Sequence, residues 1–188
     1  MLRVHRLRLL TNQAVSRDAH FAIRAAAALR RRGRDIRLTV IGSGPMLSHL
    51  KKLVSQLALD QHVRFVAHMA QPDLFDCYGR AHVFVFPSLR DAGGNVVQEA
   101  LSAGLPVVYF NLGGPPSFVD ARCGVIVEAR DAVDEQQLVL RLTEGIERAT
   151  QSSERWDTLH RGALVRASEM TWGSQIERIQ VRIRALFI

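Results

Sequence analysis

The chain has 188 residues, 47% of them hydrophobic, and its 25 lysines and arginines against 18 acidic residues give a formal net charge of +7. This length fits one domain with a substantial core, and the composition excludes a disordered, low-complexity or membrane-spanning chain. The arginine-rich start lacks the long apolar core and cleavage site of a signal peptide, so we expect a cytoplasmic protein.

Strand and helix patterns alternate along the chain. Short apolar runs bounded by turn residues predict strands at 7–11, 36–41, 63–66, 83–86, 105–108 and 123–127. Apolar residues at helical spacing predict helices at 17–32, 47–57, 72–78, 95–103, 133–149 and 152–170. This alternation predicts an α/β fold, a Rossmann-like, doubly wound parallel sheet of about six strands with helices on both faces.

The stretch 83–108 is the centre of this pattern. A strand, a polar turn containing Gly93 and Gly94, and a helix follow one another, with Asn95 as the predicted N-cap and Gln98 as its capping-box partner. Glycines before a helix allow close backbone approach, and free N–H groups of a first helical turn favour an anion such as a diphosphate. We therefore predict a phosphate site at this turn.

Two carboxylates flank this glycine pair. Asp91 lies in the turn and Glu99 eight positions later in the helix. Both are predicted to border the cleft at the carboxyl end of the strand, where open α/β sheets bind ligands, and they suit the hydroxyl groups of a sugar. The alternative is a pair of carboxylates on a solvated turn and helix.

The stretch resembles the donor-site motif of family 4 retaining glycosyltransferases (glycosyl transferases group 1), which have the two-domain GT-B architecture. The family pattern is two glutamates separated by seven residues, and Asp91 to Glu99 has this spacing with Asp in place of the first Glu. Ala92, Gly93 and Gly94 stand where many members have Gly-Phe-Gly. The resemblance implies the C-terminal, donor-binding half of a GT-B fold.

This resemblance assigns roles to the motif. It implies that Glu99 hydrogen-bonds the ribose hydroxyls and that Asp91 holds sugar hydroxyls. The turn residues Ala92, Gly93 and Gly94, with Asn95 at the helix start, are implied to meet the diphosphate or the sugar.

The turn after the first strand carries phosphate-binding Arg and Lys residues in the family. Arg17 falls at the lysine position and is expected to bind the donor phosphates and to offset leaving-group charge. Asn12 falls at the arginine position and cannot supply that charge. The alternative for Arg17 is a surface residue of the first helical turn.

Three further turns resemble family segments that contact the donor. Gly42 and Gly44 correspond to a Gly-Asp-Gly-Pro turn, although a Gly-x-Gly turn often serves only a tight connection. His68 follows the third strand, where the family holds the nucleotide base, and is either a stacking partner or an ordinary turn residue. Gly113 and Gly114 correspond to a Gly-Gly turn before a short helix.

The basic residues restrict the choice of partner. Strongly basic domains bind nucleic acid, anionic lipid or phosphorylated ligands. The arginines here are scattered without interleaved aromatic residues, and the chain has no recognised nucleic-acid motif, so we expect no nucleic-acid partner. Clusters at Arg3, Arg6 and Arg8 and at 30–34 fit a solvated face or peripheral contact with the inner face of a membrane.

Cysteine and histidine spacings do not indicate a metal site. Cys77 and Cys123 are isolated, which predicts two reduced, mostly buried thiols. The seven histidines show no paired spacing that would hold a metal. We predict no metal, and the resemblance implies no cofactor apart from the nucleoside-diphosphate sugar that serves as donor substrate.

The end of the chain has its own pattern. We divide the sequence into a nucleotide-sugar-binding domain, 1–170, and a C-terminal crossover helix, 171–188. Apolar residues at helical spacing form a stripe on this helix: Ile176, Ile179, Ile183 and Leu186. In the family the final helix packs against the N-terminal domain, which implies contact with that domain, a partner chain or a second copy; the alternative is packing on its own domain.

The leading functional hypothesis is the donor-binding domain of a retaining hexosyltransferase acting on a glycan or lipid-linked acceptor, as in polysaccharide assembly. Family members also have an acceptor-binding domain of comparable size, which this length cannot hold, so we expect the donor half alone, inactive without its partner domain. One alternative is a non-catalytic sugar-nucleotide-binding or regulatory module, favoured by Asn12. Another is half of a GT-B sugar-nucleotide epimerase.

Overall fold

The computed structural model describes residues 6–12, 18–89, 94–112 and 117–171, together with residues 173, 176 and 180. The strands are β1 (Leu7–Asn12), β2 (Ile36–Ile41), β3 (Val63–Val66), β4 (Val83–Phe86), β5 (Val107–Phe110) and β6 (Gly124–Val127). The helices are α1 (Ala19–Arg31), α2 (Leu47–Gln56), α3 (Gln71–Arg80), α4 (Asn95–Ser102), α5 (Glu135–Ala149) and α6 (Ser153–Glu169).

The strands form one parallel sheet in the order β3-β2-β1-β4-β5-β6. The chain builds β1 to β3 outward in one direction and then returns, so β4 pairs with β1 and the later strands extend the other way. The strand order therefore reverses between β1 and β4, and open α/β sheets bind ligands outside the carboxyl ends of the strands at such a point. The predicted doubly wound parallel fold is confirmed.

Two apolar cores cover the two faces of the sheet. One contains residues of α1, α2 and α5, among them Leu29, Leu50 and Leu142. The other contains residues of α3, α4 and α6, among them Tyr78 and Leu101. All four residues of β4 are buried because the strand is covered on both sides, as its unbroken apolar sequence predicted.

Several predicted boundaries were wrong by one or two residues. Strand β5 begins at Val107 rather than at Leu105, since pairing with β4 starts at the carbonyl of Pro106, which accepts from the N–H of Phe84 at 2.8 Å. Helix α1 begins at Ala19 rather than at Arg17, which lies outside the described residues. It ends at Arg31, and Gly33, which follows the C-cap residue Arg32, has a left-handed φ of 80° that suits glycine.

The prediction for the start of α4 was also wrong. Gly94, not Asn95, is the N-cap, with a left-handed φ of 58° and no side-chain capping bond. Asn95 is already inside the helix, so it does not form the predicted capping box with Gln98. The backbone carbonyl of Gly94 instead accepts from Val97 N–H at 2.8 Å and Gln98 N–H at 3.2 Å.

Little of the predicted C-terminal helix belongs to the described residues. Residues 173, 176 and 180 are helical, and Ile176 is 51% exposed. The other stripe residues, Ile179, Ile183 and Leu186, lie outside the described residues. In the described part of the chain, none of the helices has the length and apolar character needed to cross a bilayer.

Candidate functional site

The carboxyl ends of the central strands carry the predicted site residues that the structure describes. Asn12 ends β1, Gly42 follows β2, His68 lies just beyond β3, and Gly94 begins the helix after β4. Since all these strands are parallel, these residues share one edge of the sheet, and this edge includes the reversal between β1 and β4. Gly42, His68 and Gly94 therefore lie in turns at one edge of the sheet, and their contacts with a donor stay predictions.

Glu99 is held at this edge by a tyrosine of another helix. Its side chain is half-buried on α4, and its Oε2 accepts a hydrogen bond of 3.1 Å from the hydroxyl of Tyr78 on α3. The Nδ2 of Asn12 donates to the same hydroxyl at 3.1 Å. The end of β1, α3 and α4 are thus connected by one chain of hydrogen bonds.

The direction of this chain follows from its donors and acceptors. The amide of Asn12 can only donate from Nδ2, so the phenolic oxygen accepts there and gives its single proton to Glu99. Burial raises the pKa of Tyr78 well above its ordinary value of 10, and the negative charge of Glu99 raises it further. The phenol therefore stays protonated and remains a donor to the carboxylate.

Sequence reasoning missed Tyr78. The sequence predicted only that Tyr78 ends a short helix. In the structure its side chain is 0% exposed, and the hydroxyl of a buried tyrosine needs a hydrogen-bond partner. The aromatic rings of Phe75 and Phe84 pack against it with centroids at 5.9 Å and 5.8 Å. The ring is therefore fixed by packing, and the hydroxyl position follows from it.

The turn before α4 requires glycine at position 94 because of side-chain packing and backbone conformation. A Cβ atom on Gly94 would lie 2.9 Å from the ring of Phe118, and the left-handed φ is itself unfavourable for other residues. The guanidinium of Arg166 on α6 holds this neighbour in place, because it donates to the carbonyls of Phe118 and Ser117, both at 2.9 Å. Neither Phe118 nor Arg166 was predicted from the sequence.

A further contact joins the loops after β1 and β4. The Oδ2 of Asp18, at the start of α1, accepts from the backbone N–H of Leu89 at 3.1 Å. The segments on either side of this contact, 13–17 and 90–93, lie outside the described residues. The contact brings the start of α1 beside the loop that leads to α4.

The remaining described site residues make at most one backbone hydrogen bond each in the turns that contain them. Gly42 has a left-handed φ of 127°, and its N–H donates to the carbonyl of Val66 at 2.8 Å. The carbonyl of Gly44 accepts from Leu47 N–H at 3.2 Å and so begins α2. His68 is exposed, and its ring makes no hydrogen bond within the described segments.

Other predicted site residues cannot be placed. They lie outside the described residues: Arg17, Asp91, Ala92, Gly93, Gly113 and Gly114. Their roles stay predictions. In the ranges that the structure does describe, His, Cys, Asp and Glu form no group of three that could hold a metal ion, and Cys77 and Cys123 are free thiols, half-buried and buried.

A family model decides the relationship of this chain to known proteins. The model of the glycosyl transferases group 1 family matches residues 14–157. The chain belongs to this family. The matched region extends from the turn after β1 into α6 and contains Tyr78, Glu99 and the turn before α4.

Known members support the assignment. A GDP-mannose-dependent alpha-(1-6)-phosphatidylinositol monomannoside mannosyltransferase of Mycobacterium tuberculosis is 34% identical over 156 residues, which are 73% of this chain and 40% of that protein. The corresponding enzyme of Mycolicibacterium smegmatis is 37% identical over 117 residues, 58% of this chain and 31% of that protein. The group 1 chain thus spans less than half the length of these relatives.

A solved transferase structure has the same fold. The pneumococcal O-GlcNAc transferase GtfA, solved in complex with UDP and GlcNAc, superposes with a TM-score of 0.82 at 17% identity, covering 96% of this chain and 36% of that chain. This group 1 chain therefore has the Rossmann-like fold found in GT-B glycosyltransferases.

Proposed function

We propose that this chain is the donor-binding domain of a retaining glycosyltransferase, which transfers a hexosyl group from a nucleoside-diphosphate sugar to a glycan or a lipid-linked acceptor. The observation that carries the proposal is the position of Glu99. Its carboxylate lies at the carboxyl edge of the sheet, beside the reversal of strand order, and Tyr78 holds it there by a 3.1 Å hydrogen bond.

Glu99 has the chemistry of a ribose ligand. Its Oε2 accepts from Tyr78, and a carboxylate has further lone pairs that accept from the vicinal hydroxyls of a ribose. A hydrogen bond to a charged group contributes about 1.5 to 3 kcal/mol. We propose that Glu99 reads the ribose and that Asp91, eight positions earlier, contacts the sugar.

The start of α4 is the proposed diphosphate site. The N-terminal turn of a helix presents unpaired N–H groups and the positive end of the helix dipole. Gly94 at this end leaves room for close backbone approach, and Arg17 would add a cation beside it. In this proposal these groups stabilise the departing diphosphate, and neither a metal nor a cofactor takes part.

The acceptor side belongs to a second domain. The matched regions are 31% and 40% of the lengths of the two relatives. We propose that an acceptor-binding domain, on the same or another polypeptide, closes over the donor edge. The C-terminal helix is the proposed contact, through its apolar stripe.

Replacing Ile183 and Leu186 with Ser should reduce self-association in light scattering at unchanged melting temperature; a large loss of stability would instead place the stripe in the core.

Peripheral membrane contact belongs to the same proposal. Two of the basic residues already have partners within the chain. Arg6 pairs with Asp35 at 2.9 Å, and Arg30 donates to the carbonyl of Ala58 at 3.3 Å. Arg31 is exposed at the end of α1. A contact at the cytoplasmic face would therefore involve Arg31 and its neighbour Arg34.

One observation favours a second function. Asn12 stands where the resembled family has a phosphate-binding arginine, and its neutral amide donates to the hydroxyl of Tyr78. A site with one cation fewer would still bind a sugar nucleotide but stabilise a leaving group poorly. The alternative function is therefore a non-catalytic module that binds a sugar nucleotide.

Isothermal titration calorimetry with GDP, UDP and their sugar conjugates tests the proposed function. A saturating ligand at 100 times its Kd also stabilises the fold by about 2.7 kcal/mol, which a thermal-shift assay detects. We expect Glu99→Gln to lower the affinity about tenfold or more, since the charge of the acceptor is lost.

The control is Glu144→Gln, which removes an exposed carboxylate of α5. It should leave the affinity unchanged. Equal affinities of the parent and Glu99→Gln would contradict the ribose role, and the absence of binding by every nucleotide would contradict the proposed function as a whole. Binding without transfer in the presence of the acceptor-binding domain would favour the non-catalytic module.

A further inference from the structure

One face of the sheet carries arginines where a parallel sheet is usually apolar. On the side of α1 and α2, residues of β1, β2 and β3 such as Leu9, Leu38 and Val63 are buried. On the opposite side, the second residue of each of these strands is an arginine: Arg8, Arg37 and Arg64. Arg37 is half-buried, and the other two are exposed.

The register brings these arginines close together. Arg8 lies directly opposite Arg37, and Arg64 lies opposite Thr39, two residues further along β2. Neighbouring strands are about 4.8 Å apart, so the three side chains leave the sheet within a width of roughly 10 Å. Like charges on directly opposite positions of neighbouring strands are destabilising.

No ion pair within the described residues relieves this repulsion. The guanidinium groups of Arg8, Arg37 and Arg64 have no carboxylate within 4.0 Å there and make no hydrogen bond to a described residue. Asp35 is within electrostatic range of Arg37, but its hydrogen bond goes to Arg6.

Some arginines elsewhere in the fold do have carboxylate partners. Arg141 reaches Asp131 at 2.6 Å, and Arg122 reaches both Asp120 and Glu169. Arg8, Arg37 and Arg64, in contrast to Arg122 and Arg141, lie on adjacent strands without a close counter-charge among the described residues.

These arginines form the floor of a groove. It has a volume of about 770 Å³ and lies between the sheet and α3, which contributes Asp73, Cys77 and Arg80. Of its two carboxylates, Asp60 accepts from the hydroxyl of Ser55 at 2.6 Å. Arg80 is paired with Asp76 at 3.5 Å. The groove thus has four arginines and two aspartates, with the unpaired cations on its floor.

The groove is separate from the candidate donor site. Arg8, Arg37 and Arg64 lie near the amino ends of their strands, whereas Asn12 and Glu99 lie at the carboxyl edge of the sheet. A nucleotide bound at the carboxyl edge would leave this groove open.

We propose that this groove binds a soluble small molecule with two or more phosphate groups. Each guanidinium can make bidentate contacts with phosphate oxygens, and several linked phosphates can bridge three cations on adjacent strands, as one phosphate cannot. The concave position of the arginines, with α3 as a wall, favours a small ligand over a flat bilayer. The ligand would offset the repulsion between Arg8 and Arg37.

The test measures binding of tripolyphosphate to the full chain by calorimetry at low and at physiological salt. We expect Arg37→Gln combined with Arg64→Gln to weaken binding at least tenfold. The matched control is Arg130→Gln combined with Arg161→Gln, which removes the same charge from two exposed arginines outside the groove. This control should change the affinity less than twofold.

Other results would overturn the proposal. The proposal is wrong if the parent chain does not bind tripolyphosphate, or if both double variants lose affinity equally. It is also wrong if only Glu99→Gln loses affinity, because the anion would then occupy the donor site. Vesicles with anionic phospholipid and an oligoglutamate peptide are parallel arms. If either binds through Arg37 and Arg64 while tripolyphosphate does not, the ligand class is wrong. If the double variant does not fold, the single variant Arg64→Gln at an exposed position replaces it in the test. We expect this variant to bind tripolyphosphate at least threefold more weakly.

Discussion

The hydroxyl of Tyr78 lies 3.1 Å from Oε2 of Glu99, and the two residues are 21 positions apart on different helices. This contact connects a fully buried side chain, fixed by aromatic packing, to a half-buried carboxylate at the edge where ligands bind. A rigid donor of this kind restricts the rotamers of Glu99. We infer that Tyr78 positions the carboxylate for the ribose contact in the proposed function.

The first prediction concerns this positioning. Tyr78→Phe keeps the packed ring but removes the donor to Glu99. We expect nucleotide affinity to fall roughly tenfold, about 1.4 kcal/mol, because the carboxylate loses its fixed orientation. Calorimetry measures the affinity, and circular dichroism checks the fold.

Tyr109→Phe is the control for this prediction. Tyr109 is also fully buried, and its hydroxyl donates to the carbonyl of Val119 at 3.2 Å, without a link to Glu99. It should lower stability without changing affinity. If the two variants bind the nucleotide equally well, Tyr78 has only a structural role.

The second prediction concerns Gly94. Gly94→Ala should lower the free energy of unfolding by about 1 to 2 kcal/mol, from the left-handed φ of 58° alone. The 2.9 Å approach to the ring of Phe118 adds to this cost. Urea denaturation measures the change. Replacing Phe118 with Leu in the same chain should recover part of the loss, since it removes the contact but leaves the backbone strain.

A second glycine provides the control for Gly94. Gly79 lies in helix α3, and a Cβ there would meet no atom within 4 Å. Gly79→Ala should raise stability by roughly 0.5 to 1 kcal/mol, because alanine loses less backbone entropy in a helix. Equal destabilisation by both substitutions would show that neither φ nor Phe118 determines the requirement at Gly94.

The third prediction concerns pH. Hydrogen bonds from Arg122 and then Arg166 lower the pKa of Glu169 from 4.5 to about 2. A carboxylate whose pKa is lowered in the folded state stabilises the fold above its unfolded pKa, and this contribution disappears as the pH falls through the folded pKa. Glu169 should therefore stabilise the fold above about pH 4.5 and lose its effect towards pH 2.

Melting temperatures of Glu169→Gln and the parent between pH 7 and pH 2 measure this effect. The variant should melt lower at neutral pH, and the difference should shrink as the pH approaches 2. The control Glu144→Gln, on the exposed side of α5, should show no such convergence. A difference for Glu169→Gln that is independent of pH would contradict the ion-pair explanation.

The fourth prediction concerns activity. Hydrolysis of GDP-mannose or UDP-glucose by this chain alone should stay near the uncatalysed background, since the proposed acceptor-binding domain supplies part of the active site. Nucleotide release measured by chromatography tests this. Appreciable turnover by the isolated chain would refute the division of labour between two domains.

The sequence by itself determined the fold, because the spacing of apolar residues shows which segments are strands or helices and which of their faces are buried. Strands β2, β3 and β4 have the predicted bounds. Residues 83–86 are apolar throughout, as a parallel strand buried on both faces requires. The regular alternation of strands and helices also determined that the carboxyl ends meet at one edge. Glu99 was therefore placed at the correct edge from its position after β4.

Only the tertiary structure decided which side chains meet. The contacts from Asn12 to Tyr78 and from Tyr78 to Glu99 join three elements that are far apart in sequence, and no local pattern specifies them. The same is true of the ring of Phe118 against Gly94, and of Arg8 opposite Arg37, which depends on strand register. Periodicity states which face of an element is buried, but the partner across that face is selected by the packing of the whole chain.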